Sequence, residues 1–313
     1  MLGPTDKAAF ERNGYAVLPG FYGPKQIDEI LAQIQNRKLQ RPLKVTVDLL
    51  DTGERTTLGL LSPDDIAGRR MKINDLYLDM PAVRELALSE RITPILNSLL
   101  GADAALCNSL YFEHGSTQPP HVDALFMTPT TPGHLIAIWV ALEDTHRDAG
   151  PLVYFPGSHL IRQHIFSTGT QHFVQEEMPA WDSYIMSEVA RLGLKKQSFA
   201  ARKGDVFIWH AHLLHGGGPI HDASRTRRSL VFHYYSKEDS RGHNYELACH
   251  GDGLWIDRAP QEVPPAVAER VLSESRYRER YPDVAEAIKS GHFESGRHHF
   301  DLFGNVEGRI YGS

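Results

Sequence analysis

Thr117-Gln118-Pro119-Pro120-His121-Val122-Asp123 is the stretch around which the chain is organised, because it places an imidazole and a carboxylate two residues apart, directly after a paired-proline turn. In a β-strand, residues i and i+2 point to the same face of the sheet. The sequence therefore predicts a strand in which His121 and Asp123 offer one nitrogen and one oxygen ligand to a common point.

A second segment, Gly204 to Gly216, can complete a metal site with a further histidine. Two histidines and one carboxylate on one face of an octahedron is the arrangement of non-haem Fe(II) oxygenases. Apolar and β-branched residues predict a buried strand from Asp205 to Leu214. The segment carries three candidate ligands, His210, His212 and His215, and the pattern of residues alone leaves the choice open. A His-X-Asp pair also arises by chance in a chain with 17 histidines. The hypothesis of a metal site therefore depends on all of these residues together rather than on this pair alone.

The composition is that of an ordinary globular protein. With 313 residues, 41% of them hydrophobic, the chain can fill one large core or two smaller ones. A net charge of -6 argues against a nucleic-acid binder, which usually carries a basic surface. No leader-like start or stretch of 18 apolar residues indicates secretion or a membrane span. The widely spaced Cys107 and Cys249 suit reduced thiols, so we expect a cytoplasmic location.

The order of elements predicts helices first and strands afterwards. Helical periodicity covers Pro24 to Asn36 and Pro81 to Leu99. Strands joined by tight turns are then predicted for residues 105–112, around His121, and for residues 134–142, 150–155, 205–214 and 228–235, which favours an antiparallel sandwich. Residues 159–202 form a long insertion with a helix near 185–193, which is typical of a lid. A polar tail follows from about residue 239, with a helix at about 263–278. We expect it to wrap the outside, with the pair His298-His299 solvated.

Six motifs carry a family resemblance, in chain order: Phe10-Glu11-X-Asn13-Gly14-Tyr15; His121-X-Asp123; Gly150-Pro151-Leu152 with Pro156-Gly157-Ser158-His159; Gly204-Asp205; His215-Gly216-Gly217-Gly218-Pro219; and Arg227-Arg228-Ser229. In this combination the chain resembles the phytanoyl-CoA dioxygenase family of Fe(II)/2-oxoglutarate oxygenases, over roughly residues 8 to 238. The resemblance implies a mainly β fold with flanking helices and a double-stranded β-helix core, which is a cupin-like jelly roll. We expect a single domain over residues 1–313, with its core at about 8–238, the lid at about 159–202 and the wrapping segment at about 239–313.

The resemblance also implies a reaction. Fe(II) would be the metal, with 2-oxoglutarate and dioxygen as cosubstrates, and an unactivated C–H bond would be oxidised while succinate and carbon dioxide are released. Halogenating relatives have a small residue in place of the carboxylate, so Asp123 favours hydroxylation, desaturation or ring closure. Polar and aromatic side chains in the predicted lid favour a small polar metabolite over a long acyl chain. The substrate, the regiochemistry, the stereochemistry and the pathway are not determined by the sequence.

Within that resemblance, His215 is the expected third ligand beside His121 and Asp123. It alone is followed by three glycines, which let the backbone approach a cofactor closely, and the distal histidine of the family stands before such a run. His210 and His212 are then expected to pack in the strand or to support the ligands.

Arg227 is the expected partner of the distal carboxylate of 2-oxoglutarate, because a guanidinium binds both carboxylate oxygens and stays charged. It shares a strand face with Ser229, and this Arg-X-Ser pair resembles the clamp of many relatives. A shift of one residue would exchange Arg227 with Arg228. The remaining candidates are Asn108 and Gln118 for the cosubstrate, and Tyr111, Trp209 and Arg228 for the pocket.

Two other hypotheses remain open. The first is that the protein is a cupin-type metalloenzyme that does not use 2-oxoglutarate and therefore needs no arginine clamp. The second is that it is a non-catalytic jelly-roll binding protein, which would retain no iron. The expected partner is a small molecule rather than nucleic acid or a membrane. A homodimer is compatible with the sequence, which does not determine the oligomeric state.

Overall fold

The computed structural model describes residues 4–312, with helices gathered at both ends of the chain and strands in the middle. The strands are Tyr15–Leu18 (β1), Thr46–Leu49 (β2), Arg55–Thr57 (β3), Met71–Asn74 (β4), Ala104–Phe112 (β5), Leu135–Ala141 (β6), Leu152–Tyr154 (β7), Gln197–Phe199 (β8), Val206–His210 (β9), His215–Gly217 (β10), Ser229–Ser236 (β11), Leu247–His250 (β12) and Gly253–Ile256 (β13). The helices are Pro4–Asn13 (α1), Pro24–Gln40 (α2), Pro63–Gly68 (α3), Leu76–Asp79 (α4), Pro81–Ala87 (α5), Thr93–Leu100 (α6), Met178–Arg191 (α7), Lys237–Gly242 (α8), Pro265–Arg280 (α9), Pro282–Lys289 (α10) and Gly296–His299 (α11).

The strands form two sheets. The large sheet runs in the order β1-β9-β6-β11-β5-β4-β2-β3, and β13, paired with β12, joins it beside β5. All of these pairs are antiparallel except β13 with β5. The small sheet runs β10-β7-β8 and is also antiparallel. The sheet-rich architecture with flanking helices confirms the predicted fold class at this level.

Alternation along the central strands divides the molecule into layers. On β6, the even-numbered side chains from Ile136 to Val140 pack against helices α2, α5 and α6. The odd-numbered side chains from Ala137 to Ala141 face Leu152 and Tyr154 of the small sheet. Because each buried aliphatic side chain contributes about 1.5–3 kcal/mol, this double-sided burial fixes the register of the sheet.

Several predicted elements differ in extent. The helix predicted for Pro81 to Leu99 is two helices, because residues 88–92 interrupt it between α5 and α6. The strand predicted for Asp205 to Leu214 ends at His210, and residues 211–214 turn the chain into β10 on the other sheet. Helix α7 begins at Met178, seven residues before the predicted start at 185. Gly14 ends α1, with a φ of 79°.

The C-terminal segment is more than a solvated tail. His299 is only 5% exposed, and its Nδ1 lies 3.0 Å from the Tyr277 hydroxyl. Tyr277 forms a small apolar cluster with Val284 and Ile288. The expectation that His299 is solvated was therefore wrong, because helices α9 and α10 build a local core around it.

No helix within residues 4–312 is both long enough and apolar enough to cross a bilayer.

Candidate active site

Two imidazoles and one carboxylate converge where the large sheet faces the small one. Asp123 Oδ1 lies 3.7 Å from His121 Nε2 and 3.6 Å from His215 Nε2. One ligand atom from each of the three residues lies within 4.8 Å of the other two. The structure thus brings together the three residues predicted to bind the metal.

His121 and His215 are held together by their backbones. The amide of His121 donates to the carbonyl of His215 at 2.8 Å, and the amide of His215 donates back at 3.0 Å. Each ring is then oriented by its own segment, since Nδ1 of His121 lies 2.9 Å from the carbonyl of Pro119 and Nδ1 of His215 lies 2.9 Å from that of Leu213. A carbonyl only accepts, so Nδ1 carries the proton and Nε2 presents a lone pair. Burial lowers the pKa of His121 to about 4, which keeps its ring neutral.

The segment that carries His121 and Asp123 is not a regular strand. His121 forms only an isolated bridge with His215, and Asp123 begins a short 3-10 helix, Asp123–Leu125. Val122 between them is extended, with φ -117° and ψ 139°, and this keeps the two side chains on one side. The predicted strand was wrong, whereas the predicted convergence of the two side chains is confirmed.

The glycines after His215 allow a close backbone contact, but the partner differs from the predicted one. A Cβ on Gly216 would lie 2.7 Å from the carbonyl oxygen of Gln118, and one on Gly217 would lie 2.6 Å from the amide nitrogen of Thr117. Side chains at these positions would therefore push β10 away from the segment that leads to His121. The glycines after His215 therefore allow β10 to lie close to the segment that leads to His121.

Asp123 has two further partners on its second oxygen. Trp209 Nε1 donates to Oδ2 at 2.6 Å, and His233 Nε2 lies 3.4 Å from the same atom. Burial raises the pKa of Asp123, but the neighbouring imidazoles of His215 and His233 outweigh burial and hold the pKa below its usual range. Asp123 is therefore a carboxylate at neutral pH.

His233 was not predicted as a site residue, yet its ring lies against Asp123. Its Nδ1 lies 3.0 Å from the amide oxygen of Asn108, so the ring is fixed between Asn108 and Asp123. The sequence did indicate this position, because His233 follows Ser229 by four residues on strand β11 and so lies on the same face as Ser229.

The two rejected histidines lie elsewhere. His212 Nε2 is 2.8 Å from Oε1 of Gln171, and its ring belongs to a separate small cavity. His210 packs against His159 in a tilted arrangement, with ring centroids 5.3 Å apart. Neither joins the ligand cluster, which agrees with the choice of His215.

A cavity of about 640 Å³ opens above the cluster. His121, Asp123 and His215 line it together with four of the predicted pocket or cosubstrate residues, which are Asn108, Gln118, Trp209 and Arg227. Such a volume suits a small molecule bound beside a cosubstrate.

Arg227 points into this cavity and Arg228 does not. Arg227 is 4% exposed, and its Nη1 donates to the hydroxyl of Ser229 at 3.2 Å. Its Nε has no hydrogen-bond partner in the described part of the chain. The guanidinium carbon lies 5.7 Å and 5.6 Å from the ring centroids of Phe112 and Trp139. Burial lowers the pKa of Arg227 to about 10, so the group is still charged at neutral pH.

Arg228 was offered as a pocket residue, and the structure corrects this. Its Nη2 lies 3.1 Å from Glu113, its Nη1 lies 3.6 Å from Glu143, and it is absent from the cavity lining. Strand alternation sends it to the opposite face from Arg227.

Tyr111 was likewise offered as a pocket residue and lies outside the cavity. It is 1% exposed in the helix-facing core, and its hydroxyl accepts from Gln35 at 2.9 Å. Its neighbours Leu110 and Phe112 on β5 face the cavity instead. Plain core packing accounts for Tyr111.

Asn108 does line the cavity, with its amide already oriented. Its Nδ2 donates to Asp75 at 3.0 Å, while its oxygen faces His233. The second N–H of that amide is the one through which the predicted contact with the cosubstrate would be made.

No described residue of the insertion 159–202 lines the cavity. Helix α7 packs Trp181 and Ile185 against Val122 and Leu125, on the far side of the ligand-bearing segment. The insertion therefore supports that segment from behind, and a closing movement over the cavity stays a prediction.

Three charged residues line the cavity although they were not predicted to belong to the site. They are Arg55, Lys72 and Arg258, with the amides of Asn74 and Gln261 beside them. Arg258 and Gln261 come from the C-terminal segment, which was expected only to wrap the outside. Sequence spacing gave no signal for these residues, because they meet only through the sheet order.

Comparisons with known proteins agree with this geometry. The family model described as phytanoyl-CoA dioxygenase matches residues 10–229. The mouse phytanoyl-CoA dioxygenase domain-containing protein 1 is 22% identical over 274 residues, covering 74% of this chain and 89% of that protein. A probable alpha-ketoglutarate-dependent hypophosphite dioxygenase of Stutzerimonas stutzeri is 26% identical, covering 70% and 73%.

Solved structures share the fold. The epimerase SnoN of nogalamycin biosynthesis, in complex with Fe3+, alpha ketoglutarate and nogalamycin RO, has a TM-score of 0.53 at 20% identity, covering 81% of this chain and 98% of that one. EctD from S. alaskensis with bound Fe has a TM-score of 0.57 at 18% identity, covering 76% and 78%.

The site and the fold together define a 2-oxoglutarate-dependent dioxygenase. Within that class, the chain belongs to the phytanoyl-CoA dioxygenase family.

Proposed function

We propose that this dioxygenase hydroxylates a C–H bond of a small polar molecule, with Fe(II) bound by His121, Asp123 and His215 and 2-oxoglutarate held by Arg227. The observation that carries the proposal is the convergence of two imidazole nitrogens and one carboxylate oxygen on the wall of a cavity of about 640 Å³ that also contains a buried guanidinium.

The donor set fits Fe(II). Neutral imidazoles and a carboxylate are the ligand types of non-haem iron sites, and three of them on one side leave room for other ligands. Both Nε2 atoms are free to bind, because Nδ1 of each ring is engaged by a backbone carbonyl. Outer hydrogen bonds of this kind typically orient metal-bound histidines.

The end of the cavity at Arg227 fits the distal carboxylate of 2-oxoglutarate. A guanidinium buried among the rings of Phe112 and Trp139 costs free energy unless an anion pairs with it. Its Nε and the indole Nε1 of Trp139 are buried donors without a partner within residues 4–312. Both groups gain partners if a carboxylate binds there.

Fe(II) and 2-oxoglutarate bound together would supply an oxidation in which dioxygen converts 2-oxoglutarate into succinate and carbon dioxide and places its second oxygen atom on a substrate carbon. The protein positions the groups that hold the metal and the cosubstrate. Trp209 and His233 hold Asp123, and Ser229 supports Arg227 from the same strand face. Leu110, Phe126 and Met127 give the cavity apolar walls that limit the access of water.

We further propose that the two-sheet core is a double-stranded β-helix and that residues 1–313 act as one catalytic domain. The support is that the cavity draws on residues from Arg55 to Gln261, and that β13 pairs with β5 in the large sheet.

The test is an anaerobic titration of metal-free protein, first with Fe(II) and then with 2-oxoglutarate, followed by visible absorption. A charge-transfer band of the chelated 2-oxo acid is the expected result, and succinate formation can then be used to screen substrates. Iron binding without the band would favour an enzyme that does not use 2-oxoglutarate. Folded protein that binds no iron would favour a binding protein.

A further inference from the structure

We propose that Arg55, Lys72 and Asn74 form the substrate-binding wall of the cavity, and that the substrate carries an oxyanion group of carboxylate or phosphate type that binds there. The proposal deepens the proposed function and rests on it. The three residues are called the polar wall below. All three line the cavity, on strands β3 and β4.

Asn74 is the strongest sign of a ligand. The residue is 2% exposed and lines the cavity, and neither its Nδ2 nor its Oδ1 has a hydrogen-bond partner among the residues that the structure describes. A buried amide without partners costs about 1–3 kcal/mol per unsatisfied group, so such groups are rare in proteins. A ligand with polar atoms at this position removes that cost.

The charges of the polar wall favour an anion. Lys72 Nζ lies 2.9 Å from Asp48, and Arg55 Nε lies 2.6 Å from the same carboxylate. One carboxylate is thus shared by two cations, which leaves one positive charge in excess. Among the described residues that line the cavity, Asp123 is the only acidic one, and it belongs to the metal ligands.

Arg258 is not included in the polar wall, although it lines the cavity. Its Nη2 donates to Asp75 at 2.8 Å and to the carbonyl of Cys107 at 3.2 Å, and its Nη1 donates to the carbonyl of Ala259 at 3.0 Å. These partners already satisfy most of its donors.

The polar wall is distinct from the pocket at Arg227. In the sheet register, Ser229 pairs with Phe112 and Phe112 pairs with Lys72. Two strand spacings of about 4.8 Å therefore separate the backbone of Lys72 from that of Ser229, which is roughly 10 Å. The Phe112 side chain stands between them and faces the cavity. A molecule bound to the wall can thus be held beside the cosubstrate without taking its site.

The chemistry of the ligand follows from the groups on the wall. An ammonium and a guanidinium donate charged hydrogen bonds that suit carboxylate and phosphate oxygens. The Asn74 amide adds a neutral donor and one acceptor, which also suits a hydroxyl or amide near the anion. Neutral substrates would leave the excess charge of the wall without a partner.

The test measures binding rather than turnover, by ligand-observed NMR on protein loaded with Zn(II) and 2-oxoglutarate. The probes share one carbon skeleton: phenylbutanoate, phenylpropylphosphonate and the neutral phenylbutanamide. We expect at least one acid to bind at least about tenfold tighter than the amide. Whichever acid binds more tightly identifies the type of oxyanion, and either result supports the proposal.

The matched variants are Lys72→Met and Lys203→Met. Both lysines pair with an aspartate and have similar side-chain exposure, 27% and 29%, but Lys203 lies outside the cavity lining. Lys72→Met should remove most of the preference for the acid, and Lys203→Met should keep it. Asn74→Asp is a second variant, because an added carboxylate should repel the acids at least about tenfold while the amide still binds.

Affinity for 2-oxoglutarate is measured first in every protein. Failure of the wild-type protein to bind it would contradict the proposed function. In protein that does bind it, an amide as good as the acids, no binding of either acid at millimolar concentration, or an undiminished preference in Lys72→Met would each overturn the polar wall. A tenfold loss of 2-oxoglutarate affinity in Lys72→Met would also overturn it, since the wall would then serve the cosubstrate.

Discussion

The indole of Trp209 selects which oxygen of Asp123 faces the imidazoles of His121 and His215. Its Nε1 donates to Oδ2 at 2.6 Å, which leaves Oδ1 within 3.7 Å of Nε2 of both His121 and His215. Trp209 was expected only to line the pocket. Its position on β9 makes it a positioning residue for the carboxylate.

Trp209→Phe should weaken Fe(II) binding by roughly 10- to 100-fold, because the carboxylate loses the hydrogen bond that orients it. The measurement is an anaerobic competition for Fe(II) against a chelator. Trp181→Phe is the matched control, since Trp181 is also buried but packs in the cluster behind the site. Equal iron affinity in the Trp209 variant and the wild type would show that the hydrogen bond has no such role.

His215→Ala should abolish retention of Fe(II), because it removes one of the three converging ligand atoms. The fold should persist, as judged by circular dichroism, and iron content after anaerobic reconstitution and desalting gives the result. His212→Ala is the comparison, since this ring contacts Gln163 and Gln171 rather than the cluster. Loss of iron in His212→Ala alone would mean that the wrong histidine was chosen.

Arg227→Ala should raise the Kd for 2-oxoglutarate at least about tenfold while Fe(II) binding stays unchanged, because a charged hydrogen bond contributes about 1.5–3 kcal/mol. Calorimetric titration of anaerobic protein measures both constants. Arg228→Ala provides the neighbouring control, whose guanidinium pairs with Glu113 and Glu143 away from the cavity. An equal or larger loss in Arg228→Ala would reverse the assignment.

Asp48 should make the stability of the protein depend on acid pH. Burial raises the pKa of Asp48, but the ion pairs with Arg55 and Lys72 outweigh burial and lower the pKa from 3.8 to about 2. A depressed pKa stabilises the folded state above the unfolded pKa near 4, and this stabilisation is lost as the pH falls through about 2. It amounts to about 2 kcal/mol.

Urea unfolding of the wild type and Asp48→Asn between pH 7 and pH 2 tests this linkage. The difference in free energy of unfolding should be constant above about pH 5 and should shrink below pH 4. Asp51→Asn is the control, because Asp51 pairs with Arg69 at an exposed site and should give a much smaller effect. A difference for Asp48→Asn that stays the same down to pH 2 would contradict the prediction.

Short-range patterns explain which parts of the site could be predicted. His121 and Asp123 are separated by one residue, and so are Arg227 and Ser229, so one extended residue between them is enough to align each pair. The alignment of His121 and Asp123 survived although the predicted strand is absent, because only the conformation of Val122 matters. Tyr111 was assigned to the wrong face of β5, because its position depends on contacts beyond its own segment. Alternation along β5 shows which residues share a face, but only the neighbouring layers decide which face lines the cavity.

The combination of six motifs was enough to recognise the family, and periodicity was enough to predict an antiparallel sheet-rich architecture. Spacing along one segment was enough for the pairs His121 with Asp123 and Arg227 with Ser229. The tertiary structure brings His215, and not His210 or His212, against His121 through a backbone bridge between two segments far apart in sequence, in agreement with the choice made from the resemblance. It also decided that Trp209 and His233 hold Asp123 and that Arg55, Lys72 and Asn74 share a wall. Those meetings follow from the order of strands in the sheet, which no local pattern encodes.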